Sequence, residues 1–87
     1  MSKFSELLIN AREQKHMTKV DVAKLMGWTP MYYGRYENGY LVPKGSNITR
    51  FASFIGVSYD QLKKILEADE KERLSSLEET IRSLQKK

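Results

Sequence analysis

Few side chains in this sequence are equipped to make or break bonds. There is no cysteine, which removes thiolate nucleophiles, thiolate metal sites and disulfides. The one histidine, His16, falls between two helical stretches, and no Gly-rich phosphate loop or cluster of metal-ligating residues accompanies it. The expectation is a protein with no catalytic residue, no metal site and no cofactor. What the chain does hold in excess is positive charge, with 15 Lys and Arg against 11 Asp and Glu and a formal net charge of +4. Ten of those basic residues lie in residues 1–66 against five acidic ones, whereas residues 67–87 hold five and six. A basic body with a slightly acidic tail invites a polyanion partner, and its sign permits nucleic acid.

The elements that would carry those charges follow from the positions of the apolar residues. A chain of 87 residues supports one core and little more, since a domain this small buries only about 60 to 65% of its unfolded surface. No apolar run approaches the roughly 20 residues that span a bilayer, so no membrane partner is expected. The polar start Met1-Ser2-Lys3-Phe4-Ser5-Glu6 lacks the apolar stretch of a secretory signal, which predicts a cytoplasmic protein.

Phe4, Leu7, Leu8 and Ala11 recur at three- and four-residue intervals and predict a helix from about Lys3 to Gln14. Thr18 suits the cap of a second helix, with Asp21 near its positive end and Val22, Ala23, Leu25 and Met26 as its buried side. Gly27 fits the left-handed close of that helix, and Thr29-Pro30 restarts a third at once, with Thr29 as cap and Pro30 in the first turn. The third runs from about Pro30 to Glu37 and stops at Asn38-Gly39, before a loop over Tyr40-Leu41-Val42-Pro43-Lys44-Gly45. A fourth, from Ser46 or Asn47 to Gly56, turns Ile48, Phe51, Ala52 and Ile55 inward, and a fifth opens at Ser58 with Leu62, Ile65 and Leu66 on its apolar side.

Beyond Glu67 the sequence turns charged around Leu74, Leu77, Ile81 and Leu84, whose spacing of three, four and three is that of heptad a and d positions. Glu67 with Lys71, Asp69 with Arg73, and Glu78 with Arg82 stand four apart as helical ion pairs. Two uses fit this segment: pairing with a second copy through the four apolar residues, or folding back on its own domain.

The stretch Thr18-Lys-Val-Asp-Val-Ala-Lys-Leu-Met-Gly-Trp-Thr-Pro-Met-Tyr-Tyr-Gly-Arg-Tyr-Glu-Asn-Gly39 resembles the helix-turn-helix of lambdoid phage repressors and Cro proteins, the Xre family. Thr18, Ala23, Gly27, Thr29 and the closing Arg35-Tyr36-Glu37-Asn38-Gly39 carry the match, and Gly56-Val57-Ser58-Tyr59-Asp60-Gln61-Leu62 resembles the family's opening of helix five. The resemblance runs from about Phe4 to Leu66. It implies an all-α, five-helix lambda-repressor-like domain over residues 1–66, with an additional C-terminal helix over 67–87 as the dimerisation segment.

A recognition helix must lie in a major groove about 12 Å wide while its predecessor crosses the backbone, and the small residues Ala23 and Gly27 permit that close crossing. By the resemblance, base readout falls to Pro30, Met31, Tyr32, Gly34 and Arg35, while Tyr33 and Tyr36 face the core. The Arg35 guanidinium can grip guanine O6 and N7, or hold a phosphate instead. Pro30 and Met31 replace polar residues often found there and can offer only apolar contact to thymine methyls. Phosphate contacts are assigned to Thr18, Lys19, Thr29, Asn38, Tyr40 and Lys44, and Arg12 with Glu37 is the structural pair between helices one and three. Trp28 is expected as a lid on the core.

The implied function is a sequence-specific double-stranded DNA-binding transcriptional regulator, a repressor acting as a homodimer on a palindromic operator through Leu74, Leu77, Ile81 and Leu84. The alternative is a protein-interaction module of the same fold, an antirepressor, antitoxin or inhibitor with a regulatory protein partner, which the apolar Pro30-Met31-Tyr32 surface keeps open. An enzyme is not expected.

Overall fold

Four of the five helix starts in the described residues are fixed by side chains that accept amide protons, and only the helix that follows Gly45 opens without one. In the computed structural model, which describes residues 2–85, five helices follow one another: α1 Lys3–Gln14, α2 Lys19–Met26, α3 Pro30–Glu37, α4 Ser46–Ile55 and α5 Tyr59–Gln85. There is no strand among the described residues, so the all-α expectation holds. The Ser2 hydroxyl accepts from the Ser5 amide at 3.1 Å and the Thr29 hydroxyl from the Tyr32 amide at 3.2 Å. Thr18 and Asp21 satisfy each other's backbone at 3.1 and 2.8 Å, and Ser58 and Gln61 do the same at 3.1 and 2.9 Å. Gly27 closes α2 in the left-handed region, at φ 77°, which lets the Trp28 amide reach back to the Ala23 carbonyl at 2.8 Å.

The core gathers Phe4, Leu8, Val22, Ala23, Met26, Tyr33, Tyr36, Phe51, Ala52, Phe54 and Leu62. Leu25, expected in it, is 64% exposed. At ~100° per residue, Val22, Ala23 and Met26 define a stripe whose centre lies about 105° from Leu25. Because α2 packs chiefly on α3, no second neighbour covers that flank. Phe54 stands in the same angular relation to Phe51, Ala52 and Ile55, yet it is buried, because α4 lies against both α1 and α5.

The additional C-terminal helix is not a separate element. No Gly or Pro follows Gly56, and α5 passes through residues 66 and 67 unbroken to Gln85. Its first part packs against α1 and α4, whereas residues 70–85 are exposed throughout and do not fold back. Nor do the expected ion pairs form: Arg73 takes Glu70 at 2.7 Å instead of Asp69, and neither Glu67–Lys71 nor Glu78–Arg82 is closed. Asp69 is used elsewhere, its two carboxylate oxygens accepting from the backbone amides of Lys3 at 2.9 Å and Phe4 at 3.0 Å. A carboxylate on α5 thus caps the positive end of α1. Asp69→Ala is expected to lower stability by about 1–2 kcal/mol in urea titration, whereas Glu67→Ala stays within about 0.5 kcal/mol.

Candidate nucleic-acid interface

Helix α3 is held by one side and shown on the other. Tyr33, Tyr36 and Glu37 are buried, while Pro30, Met31 and Arg35 are exposed and Gly34 is half-buried. Met31, 74% exposed, shares one shallow depression with Thr29, Tyr32 and Arg35. The structure therefore brings most of the expected readout residues onto a single face. At Gly34 a Cβ would meet nothing within 4 Å, so the fold itself does not require glycine there.

The buried side is an aromatic stack. Tyr36 meets Phe51 at 4.9 Å between ring centroids, and Trp28 lies nearly parallel to Tyr36 at 5.4 Å, placing Trp28 as a half-buried cover over the core. Tyr32 reaches the surface but is clamped: its ring meets Trp28 edge to face at 5.1 Å, and its hydroxyl lies 3.1 Å from that of Tyr36. Arg50 carries no signal of its role in the sequence, because it sits on α4, remote from α3 along the chain. Its guanidinium donates to the Met26 carbonyl at 2.6 Å and lies 5.0 Å over the Trp28 ring, bracing the turn between α2 and α3. Ser5, also remote from α3 along the chain, is fully buried and donates its hydroxyl to the Tyr36 carbonyl at 3.1 Å.

The far end of α3 is fixed by Arg12. Its Nε donates to Glu37 Oε2 at 2.7 Å, a second guanidinium nitrogen to Oε1 at 3.3 Å, and the third to the Met17 carbonyl at 3.2 Å. The fork joins α1, the connection to α2 and the last turn of α3. The Glu37 hydrogen bond, reinforced by the Glu37 charge, outweighs the loss of hydration on burial and holds the Arg12 pKa above its usual value. Beyond Glu37, the Tyr40 and Leu41 amides both donate to the Arg35 carbonyl, at 2.9 and 3.1 Å, which fixes the backbone beneath the Arg35 side chain.

The residues assigned to phosphate fall in three places, of which one is the start of α3, where exposed Thr29 borders the depression beside Met31 and Arg35. Thr18 and Lys19 stand exposed at the start of α2, and with the Asp21 amide capped, the Lys19 and Val20 amides lie in the unbonded first turn. Asn38, Tyr40 and Lys44 are exposed too, but they line the cleft between the 38–44 loop and α5 instead of the α3 face.

Burial and the Tyr32 hydroxyl push the Tyr36 pKa up to about 12, and burial pushes Tyr33 up further beside the Arg12–Glu37 pair. Both phenols ionise in the unfolded chain near pH 10 and resist ionisation when folded. Their contribution is fully present below pH 10; that of Tyr36 is lost as pH rises toward 12, while that of Tyr33 falls over the same range and continues to fall beyond it. Urea midpoints followed by Trp28 fluorescence are expected to fall steeply between pH 10 and 12.

Residues 8–62 match the family model described as helix-turn-helix. The chain is also 30% identical over 61 residues to the ImmF control region 10 kDa protein of Bacillus phage phi105, an alignment covering 70% of this chain and 68% of that one. No solved structure matches.

Proposed function

The chain belongs to the helix-turn-helix family, whose Xre-type members bind DNA and regulate transcription, and from that premise we propose that it is a repressor that occupies a palindromic operator as a dimer. One observation carries the reading: α3 is anchored by Tyr33, Tyr36 and Glu37 while its opposite face presents Pro30, Met31 and Arg35 without cover and one edge of Tyr32. A helix held rigidly behind and open in front suits a major groove. On this reading Pro30, Met31, Tyr32, Gly34 and Arg35 meet base edges, and Thr18, Lys19, Thr29, Asn38, Tyr40 and Lys44 meet phosphates. Lys19 adds charge to the open amides of α2, which is the usual chemistry of a phosphate clamp.

The phage phi105 relative is named for a control region, which supports a regulatory role for this chain. Repression then consists of occupying a promoter. The dimer follows from reach, since one module contacts few base pairs and a twofold pair reads half-sites about 34–36 Å apart. Residues 1–66 serve as the DNA-binding part and 67–87 as the dimerising part, with Leu74, Leu77, Ile81 and Leu84 at the interface. No helix among the described residues is long and apolar enough to cross a membrane, and the proposed place of action is the cytoplasm, with binding and not catalysis as the activity.

The second reading, a module that binds another protein, draws on Met31 at 74% exposure. Enrichment of bound sequences from random duplex DNA at two salt concentrations separates the two. A palindromic motif, with log K falling by ~0.9 per phosphate neutralised for each log unit of salt, is the expected result. No motif and salt-independent behaviour would turn the reading toward a protein partner.

A further inference from the structure

Four apolar side chains on the projecting part of α5 have no cover: Leu74, Leu77 and Ile81 are 48, 48 and 47% exposed, and Leu84 is 67%. If Leu74 and Ile81 are a positions, then Leu77 and Leu84 are d, Arg73 is a g position, and Glu78 is the e position five residues later. In a parallel, in-register pair, g of one helix faces the following e of the other. We propose that the occupant of this face is a second copy of the chain, and that its α5 extension lies parallel and in register, selected by Arg73 of each copy against Glu78 of the other. This rests on the dimeric reading and adds its orientation.

Along the flanks of the Leu74–Leu84 seam, charge separates the two directions. The parallel pair gains two opposite-charge contacts, one on each flank. In the antiparallel pair e positions flank e positions, which sets Glu78 near Glu78 of the second copy. Glu78 makes no ion pair among the described residues, so it is available for this contact. Arg73 is held by Glu70 at 2.7 Å, but that pair is 59 and 50% exposed and such pairs are worth little.

The register also sets where pairing stops. Glu67 and Glu70 occupy the preceding a and d positions, so in a parallel pair each would face its own twin. Like charges in the seam part the helices there, just where Asp69 binds α5 to the start of α1. The seam therefore begins at Leu74 and leaves both domains at one end of the pair, around a common twofold axis.

The full chain is tested by sedimentation equilibrium with Arg73→Glu and Glu78→Arg. Each alone turns two attractions into two repulsions and is expected to weaken dimerisation about tenfold, while an equimolar mixture of the two, which restores opposite charges on both flanks, recovers it. In parallel, Leu84→Cys, placed in a chain without cysteine, is expected to form an intermolecular disulfide on oxidation. Antiparallel helices would hold those sulfurs about 15 Å apart, beyond bridging range. A dimer without recovery in the mixture and without the disulfide would overturn the orientation alone. A chain that stays monomeric at all concentrations would overturn the dimeric reading and this inference together.

Discussion

Arg12→Ala is expected to cost about 3 kcal/mol of stability, a large part of what a chain this small possesses. Glu37 is only 2% exposed, and without the guanidinium its carboxylate would be buried with neither counter-charge nor hydrogen-bond donor from α1. The Met17 carbonyl would lose its donor in the same change. The lower end of the usual range applies because Arg12 keeps 15% of its side chain exposed and water can enter behind it. Replacing both members by apolar residues of similar size, Arg12→Met with Glu37→Leu, removes the stranded charge and is expected to recover most of the loss. Urea titration followed by fluorescence of the chain's single tryptophan checks both variants. Near-equal losses for the single and double variants would mean that the pair acts through packing and not through charge.

The pair itself is legible in the sequence only through the family resemblance, since Arg12 and Glu37 are 25 residues apart and no local pattern joins them. What local pattern does give is the helices, because caps and apolar spacing act within a few residues. The limit of that pattern shows in Leu25 and Phe54. Each stands at the same angle to its own helix's buried stripe, yet Leu25 is 64% exposed and Phe54 only 7%. The difference is made by neighbours, one for α2 and two for α4, and neighbours are a property of the whole fold. Asp69 gives the same lesson in polar terms. Four-residue spacing predicts Arg73 as its partner, but two otherwise unpaired amides at the start of α1 are better donors to its carboxylate than an exposed guanidinium. Arg50 lies outside the helix-turn-helix segment and braces it through Trp28, which no spacing rule would reveal.

The same division between side chain and frame decides what Arg35→Ala should do. Its backbone is fixed by the Tyr40 and Leu41 amides and its side chain is exposed, so truncation should leave stability nearly unchanged and act on DNA alone. If the guanidinium grips guanine O6 and N7, affinity for the best duplex falls about 10- to 100-fold and preference at one base pair relaxes, while affinity for random duplex falls much less. Lys19→Ala provides the contrast. An exposed lysine beside the open amides of α2 reads no sequence, so its removal is expected to weaken all duplexes alike and to reduce the slope of log K against log salt by about one. Uniform weakening and a reduced slope for Arg35→Ala would instead place Arg35 on a phosphate. Base choice would then rest on the apolar contacts of Pro30, Met31 and Tyr32. These offer no directional hydrogen bonds from Pro30 or Met31, and the Tyr32 hydroxyl is already engaged with Tyr36.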